Sequence, residues 1–438
     1  MNSNAARNAL VAVLSALIGV LLIAAGFLGA FIVFNGDDEP DAAPAIVAEV
    51  TATPAADTEA PAAADDPTGE DEIHPRIFTE IVDILEEDFV EPERVDRQYL
   101  MEGAIQGIFT ALNDPHSTYI DPQTYDISRN DFRGAFQGIG ATIAQQDNYV
   151  VIVRPLPDTP AERAGIRAGD VILEVDGESA EGWSVEKAVL RIRGRTGTTV
   201  QLLVRHSDGE EELITITRDE ILVASVGVAP PGGVLRDSDD NEVTDIAYIR
   251  IRTFTARTPN ELRQAIEAAG DVKGLIIDVR SNPGGLLVET AQTADLFLDG
   301  GTILVQVDRD GNEQVYSAQS GMVTDLPVAI VQDEFSASGS ELLAAALQEN
   351  GRAIVVGATS FGKGTVSHAR DLSNGGAIYV SIARWLTPDR NQIEGRGVIP
   401  DIEVELTVED IEGRRDVALY RAIDALRAQV ETQGSASS

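Results

Sequence analysis

Between residues 246 and 357, short apolar runs alternate with helically spaced ones, and this alternation narrows the fold more than any other feature. "IAYIRIRTF" reads as a strand, "GLIIDVR" and "PVAIVQ" as buried strands, and "AIVVG" as a fourth. Between them, "NELRQAIEAAG" predicts a helix capped by Asn260 and stopped by Gly270, and "ELLAAALQENG" predicts another. Strand and helix in turn predict an α/β layer. "VEDIEGRRDVALYRAIDALRAQV" predicts one amphipathic helix closing the chain.

Ahead of this core lies a different kind of chain. Residues 9–34 carry no charge over 26 positions. As a helix they would span about 39 Å, enough to cross a bilayer with some tilt. Arg7 precedes the run, and Asp37, Asp38 and Glu39 follow it, so residues 1–8 are expected in the cytoplasm and the rest outside. Residues 35–72 are rich in Ala, Pro, Thr and acids, and they read as a solvated tether. Overall the chain carries 72 acidic and 33 basic residues, a net charge of −39, which excludes a nucleic-acid-binding surface. It has no cysteine, so disulfides, thiolate nucleophiles and zinc–cysteine sites are excluded. Its four histidines, His74, His116, His206 and His368, show no metal-ligand spacing, and neither a metal nor an organic cofactor is expected.

Order is expected from residue 73. Residues 73–132 form a helical region: "IFTEIVDILEEDFV" places Ile77, Ile81, Ile84, Leu85 and Phe89 at helical spacing, and "QYLMEGAIQGIFTAL" repeats the pattern. Its apolar faces are expected to pack on the main body or on a second copy, which leaves room for a homodimer. "DPHSTYIDP" follows as a turn-rich loop in which His116 reads as structural. Residues 133–220 alternate as strands, with "SVEKAVLRIR" a short helix. Here "DTPAERAGIRAGDVILEVDGE" resembles the PDZ family, and Gln137, Gly138, Ile139 and Gly140 resemble its carboxylate-binding loop. Independently of the family, glycines let backbone N–H groups converge on an anion, and a strand edge can pair with an extended peptide.

Two residues in 221–407 carry candidate chemistry. Ser338 opens the pattern Ser338-Gly339-Ser340-Glu341, a capping box. The same helix start offers free N–H groups to an oxyanion, so capping and nucleophilic roles both fit. A serine hydroxyl needs a base. Lysine serves if burial lowers its pKa, whereas arginine stays protonated. Among 30 arginines the chain has three lysines, Lys187, Lys273 and Lys363, and Lys363 lies between Gly362 and Gly364.

Together, "FSASGSELLAAALQENGRAIVVGATSFGKGTV", "DVRSNPGGLL", "DPHSTYIDP", "GVIPDIEV" and the PDZ module ahead of them resemble the carboxy-terminal processing, or tail-specific, serine proteases over residues 75–410. The resemblance implies a crotonase/Clp-like β-β-α core. It implies Ser338 as nucleophile, Lys363 as general base, and the N–H groups of Gly284 and Gly339 as oxyanion donors. Relatives often carry a glutamine four residues after the lysine, where this chain has Ser367, and some carry an aspartate in place of Glu349. His368 is expected to be a spectator.

The expected protein is a membrane-anchored endopeptidase that captures free, apolar C-terminal tails through its PDZ module. A tethered PDZ adaptor that binds without cutting, and a serine hydrolase assisted by His368, are the rival readings. Residues 408–438 are assigned to the closing helix and tail.

Overall fold

The computed structural model describes residues 49–50, 76–122, 124–125, 134–230, 232–405, 407–413 and 415–436. The uncharged run at 9–34 lies outside them, as does nearly all of the acidic tether. Among the described residues no helix is long and apolar enough to cross a membrane.

Helices α1 (Arg76–Asp88) and α2 (Arg97–Leu112) come first, joined through Arg97, which pairs with Asp83 and Glu86. Asp96 caps α2 by accepting the Tyr99 N–H at 2.9 Å. Ile77, Ile81 and Ile84 of α1 and Ile108 and Leu112 of α2 are exposed, so these faces are not covered by the main body of this chain. The loop at 114–117 then leads into β1 (Thr118–Ile120).

The middle module begins with β2 (Ala135–Gly138), β3 (Ala141–Gln146), β4 (Tyr149–Pro155) and β5 (Val171–Val175). Helix α3 (Val185–Ile192), capped by Ser184, separates these from β6 (Thr199–Arg205) and β7 (Glu211–Thr217). The sheet runs β3–β4–β5–β6–β7 around a core of Val150, Ile152, Ile172, Trp183, Leu202 and Val204. β2 pairs antiparallel with β8 (Asp219–Leu222), which brings the two ends of the module side by side.

The α/β core holds β9 (Ile246–Ile251), α4 (Thr258–Ala268), β10 (Gly274–Asp278) and α5 (Leu287–Asp295). Next come β11 (Thr302–Asp308), β12 (Glu313–Ser317), β13 (Val328–Gln332), α6 (Gly339–Glu349) and β14 (Ala353–Gly357). β9, β10, β13 and β14 pair in parallel. Every residue of β10 and β13 is buried, because both faces are covered. Leu275, Ile277 and Ile330 pack toward α4, α5 and α6, whereas Ile276, Ala329 and Val331 pack on the opposite side against Leu419, Ile423 and Leu426. A second, antiparallel sheet is ordered β12–β11–β16–β15, from β15 (Thr365–Asp371) and β16 (Ala377–Leu386), with β1 also on β16.

Two sequence expectations are corrected. Helix α4 starts at Thr258, not after Asn260, because Pro259 supplies the preset φ and missing donor that suit a first turn. The closing helix is two pieces, Val408–Glu412 and α7 (Val417–Ala436). Asp416 makes the break by accepting the Leu419 N–H at 3.2 Å and gripping Arg280 with both oxygens, at 2.7 and 2.9 Å. Arg280 also pairs with fully buried Asp278 at 2.7 Å, which in turn accepts the Tyr248 hydroxyl at 2.7 Å. α7 is thereby fastened to the loop that follows β10. Arg280→Ala leaves the Asp278 carboxylate buried without its cation, so it should lower unfolding stability by about 3–5 kcal/mol, measurable by urea denaturation; a change below about 1 kcal/mol would refute this role.

Candidate active site

In an open α/β sheet, loops leaving the C-terminal ends of parallel strands are where groups from separate strands can meet. Here β10 ends in the loop carrying Gly284, and β13 ends in the loop carrying Ser338. Ser338 has φ 55° and ψ −111°. A non-glycine residue occupies such a conformation at a cost of about 1–3 kcal/mol, and only when its surroundings hold it there. Neighbouring contacts do so. Ala337 N–H donates to Asn282 O at 3.0 Å, Leu342 N–H donates to Ser338 O at 2.9 Å, and Ser338 N–H donates to Glu341 Oε2 at 2.7 Å. Ser338 is fully buried and its Oγ has no hydrogen-bond partner among the described residues. The capping reading therefore holds for the Glu341 half alone.

Glu341 does much more than answer one amide. Its Oε2 also accepts the Lys363 N–H at 2.9 Å, and its Oε1 accepts the Ser360 hydroxyl at 2.6 Å and the Gly362 N–H at 2.5 Å. One carboxylate thus fixes the backbone of Ser338 and of Lys363 at once. Burial holds the Glu341 carboxyl above its usual range, and its four donors oppose that shift only in part. With two donors on each oxygen, the ionised form is the one that satisfies all four.

The glycines around Lys363 have a steric cause. Gly362 has φ +93°, and a Cβ there would lie 2.9–3.1 Å from the amide nitrogens of Gly395, Arg396 and Gly397. Lys363 is 7% exposed, and its carbonyl accepts the Trp385 indole N–H at 3.1 Å. Burial pulls the amine down to about 8, against the opposing influence of Glu394, Asp114 and Glu341. Two of these acids come from distant parts of the chain. His116 Nε2 lies 2.9 Å from Glu394 Oε1, and Glu394 Oε2 accepts the Gly364 N–H at 2.8 Å. Asp114 accepts the Ser117 hydroxyl at 2.5 Å, and Ser117 Oγ accepts the Ser381 N–H at 3.0 Å. The "DPHS" loop is thus part of the wall beside the lysine, with His116 hydrogen-bonded to Glu394.

The Gly284 loop reaches the same place. A Cβ on Gly284 would come 2.7 Å from both Gly339 N and Ser338 Cβ. Asn282 shapes the turn: its Nδ2 donates to Ile251 O at 3.0 Å and its Oδ1 accepts the Gly284 N–H at 2.8 Å. The Gly284 amide is therefore engaged, whereas the Gly339 N–H meets no acceptor among the described residues.

Ser367 is fully buried on β15, and its Oγ has no hydrogen-bond partner among the described residues. His368 follows it, opposite Val380. Glu349 sits at the far end of α6 from Ser338 and accepts the Asp389 N–H at 2.7 Å, away from the lysine. In the middle module, Ile139 and Gly140 line a groove of about 90 Å³ with Phe136, Ile143, Val189 and Arg193. Gln137 instead accepts the Thr196 N–H at 3.1 Å, and Gly138 lies against Arg193 and Phe136. The sequence did not single out Ser360, Asn282 or Glu394. The one available signal for Glu394 was its place ahead of Gly395 and Gly397 in "EGRG".

A mixed α/β core that follows a small β-rich module, with a strained buried serine at the C-terminal edge of its parallel sheet, defines a two-module protein of peptidase architecture. Family models agree: Peptidase family S41 matches residues 245–404, the PDZ domain matches 131–205, and the Activating protease CtpB N-terminal domain matches 47–124. The "Carboxy-terminal-processing protease" of Bartonella bacilliformis is 36% identical over 319 residues, 71% of this chain and 70% of its own length. The "Carboxy-terminal processing protease CtpB" of Bacillus subtilis is 36% identical over 317 residues, 72% of this chain. The chain spans 64% of that relative's length and 66% of that of B. subtilis CtpA. Among solved structures, the "Photosystem II D1 C-terminal processing protease" is 27% identical with a TM-score of 0.43, covering 77% of this chain and 95% of that one. The chain belongs to the carboxy-terminal processing protease family, peptidase family S41 with a PDZ domain.

The strain at Ser338 makes a test independent of activity. Ser338→Gly relieves the positive φ and Ser338→Ala does not, so the glycine variant should be the more stable of the two by about 1 kcal/mol in urea unfolding. Glu341→Gln puts an amide N–H₂ against at least one of the four donors and should cost about 2–4 kcal/mol. A more stable alanine variant, or an unaffected glutamine variant, would contradict the geometry described.

Proposed function

We propose that this protein is a serine endopeptidase with a Ser338–Lys363 dyad that cuts protein substrates near their C-termini. One observation carries the reading: a buried serine in a strained conformation shares a single carboxylate, Glu341, with the backbone of a lysine whose amine burial pulls down to about 8. The neutral amine takes the Ser338 proton, and Oγ attacks the scissile carbonyl. The Gly339 N–H, joined by the Gly284 N–H once it leaves Asn282, stabilises the oxyanion. Lys363 then gives its proton to the leaving amine, and water hydrolyses the acyl-enzyme. Ser367 is proposed to orient the amine in place of the glutamine common in relatives.

The PDZ groove lined by Ile139 and Gly140 is proposed to capture the substrate's tail, pairing with its backbone and favouring apolar C-terminal side chains. Residues 9–34 are proposed to anchor the protein in the membrane with the catalytic part outside the cytoplasm. The exposed isoleucines of α1 and α2 suit a second copy of the chain, giving a homodimer.

The test uses the fragment from residue 73 onward and an unstructured protein with an apolar tail. Ser338→Ala and Lys363→Ala should each reduce cleavage by about 10³-fold or more, and His368→Ala should keep it. Ser367→Gln should keep or raise activity. Binding without cleavage by the unmutated fragment would favour the adaptor. Loss in His368→Ala with Lys363→Ala active would favour a histidine-assisted hydrolase.

A further inference from the structure

Beside Lys363 lies a cleft of about 500 Å³, the size of pocket that holds a drug-sized ligand. The DPHS loop, the end of β11, the start of β15 and the second half of β16 wall it. It adjoins the proposed dyad: Thr365, two residues beyond Lys363, lines it, and so do Glu394 and Asp114, the two acids acting most strongly on the lysine.

Its charges are unequally engaged. Asp114 accepts the His116 N–H at 3.0 Å and the Ser117 hydroxyl. Glu394 is held by His116 and the Gly364 N–H. Asp308 accepts the Asp310 N–H and the Asn312 N–H, each at 2.9 Å, and the Asn312 side chain. All three carboxylates are thus committed to the protein's own donors. The two arginines are not. The Arg384 side chain has no hydrogen bond or ion pair among the described residues, and the Arg309 side chain has one exposed contact, 3.7 Å to Asp310. The Thr365 and Ser381 hydroxyl oxygens on the same walls are buried and lack a partner among the described residues.

Guanidinium groups beside unfilled hydroxyl donors suit a carboxylate. We infer that this cleft is a subsite for the C-terminal carboxylate of the substrate: Arg309 and Arg384 bind it, while Thr365 and Ser381 donate to the few residues before it. The inference rests on the proposed Ser338–Lys363 endopeptidase and deepens it. With the carboxylate fixed beside the lysine, the scissile bond falls a few residues from the chain end, and the cut releases a short tail. The PDZ groove is a separate place, so the tail it captures leaves it for this cleft before the cut.

The test compares short N-terminally blocked peptides that end in a free carboxylate or in an amide, cleaved by the fragment from residue 73 onward. An unstructured protein with an apolar tail serves as a further substrate. The free acid should be cut with at least about tenfold higher kcat/KM than the amide, as expected for one charge-assisted contact. Arg384→Gln or Arg309→Gln should remove most of that preference by lowering the rate on the acid and leaving the amide within about twofold. Both side chains are exposed, so the variants should fold; equal urea midpoints would confirm it. Equal cleavage of acid and amide, or a preference that survives both substitutions, overturns the subsite while the protease reading stands. If the unmutated fragment cuts neither the peptides nor the protein, the protease reading falls, and the subsite with it.

Discussion

The site depends on one buried carboxylate. Glu341 accepts four hydrogen bonds, two on each oxygen: Ser338 N–H and Lys363 N–H on one, Ser360 Oγ and Gly362 N–H on the other. Without it, the turn after β13 and the segment before β15 would keep only the backbone bond from Phe361 N–H to Ser336 O at 3.0 Å among the hydrogen bonds described between them. Each amide would also lose its acceptor in a place that water does not reach, and a buried unpaired donor costs about 1–3 kcal/mol. The strained φ of Ser338 persists because this network over-determines it. The two halves of the proposed dyad come from the ends of two different sheets, so a shared acceptor is what makes their spacing a property of the fold.

Electrostatics around the lysine follow from the same architecture. Burial lowers its proton affinity, and three acids raise it again, with burial the stronger influence. Two of those acids belong to segments far from the lysine in sequence, Asp114 after α2 and Glu394 before the final strand of the parallel sheet. The helical region ahead of the PDZ module therefore touches the chemistry through the DPHS loop. That loop also closes one wall of the cleft that holds Arg309 and Arg384.

Much of this was legible in the sequence. Continuous apolar runs such as "GLIID" and "VAIVQ" announce strands covered on both faces, and all ten of those residues are buried. The lysine between glycines was legible because close backbone approach leaves room for no Cβ at Gly362. Local patterns misled where a long-range contact intervened. The closing helix breaks because Asp416 is drawn to Arg280, 136 positions away, and no periodicity carries that information. Glu341 looked like an ordinary cap partner, because only Ser338 among its four donors is local and the other three lie at residues 360–363. Asp114, His116 and Glu394 were likewise brought together by tertiary packing. The exposed faces of α1 and α2 were read correctly as apolar, but their cover is not supplied by this chain's own core.

The central claim is that an uncharged Lys363 activates Ser338. The most direct measurement is the pH dependence of Ser338 acylation by a serine-directed reagent, with the adduct located by mass spectrometry. The account predicts an adduct on Ser338 whose rate of formation rises with pH, is half-maximal at about 8 and levels off above. An adduct on another residue, a rate independent of pH, or an inflection near the ordinary histidine value of about 6.5 would contradict it.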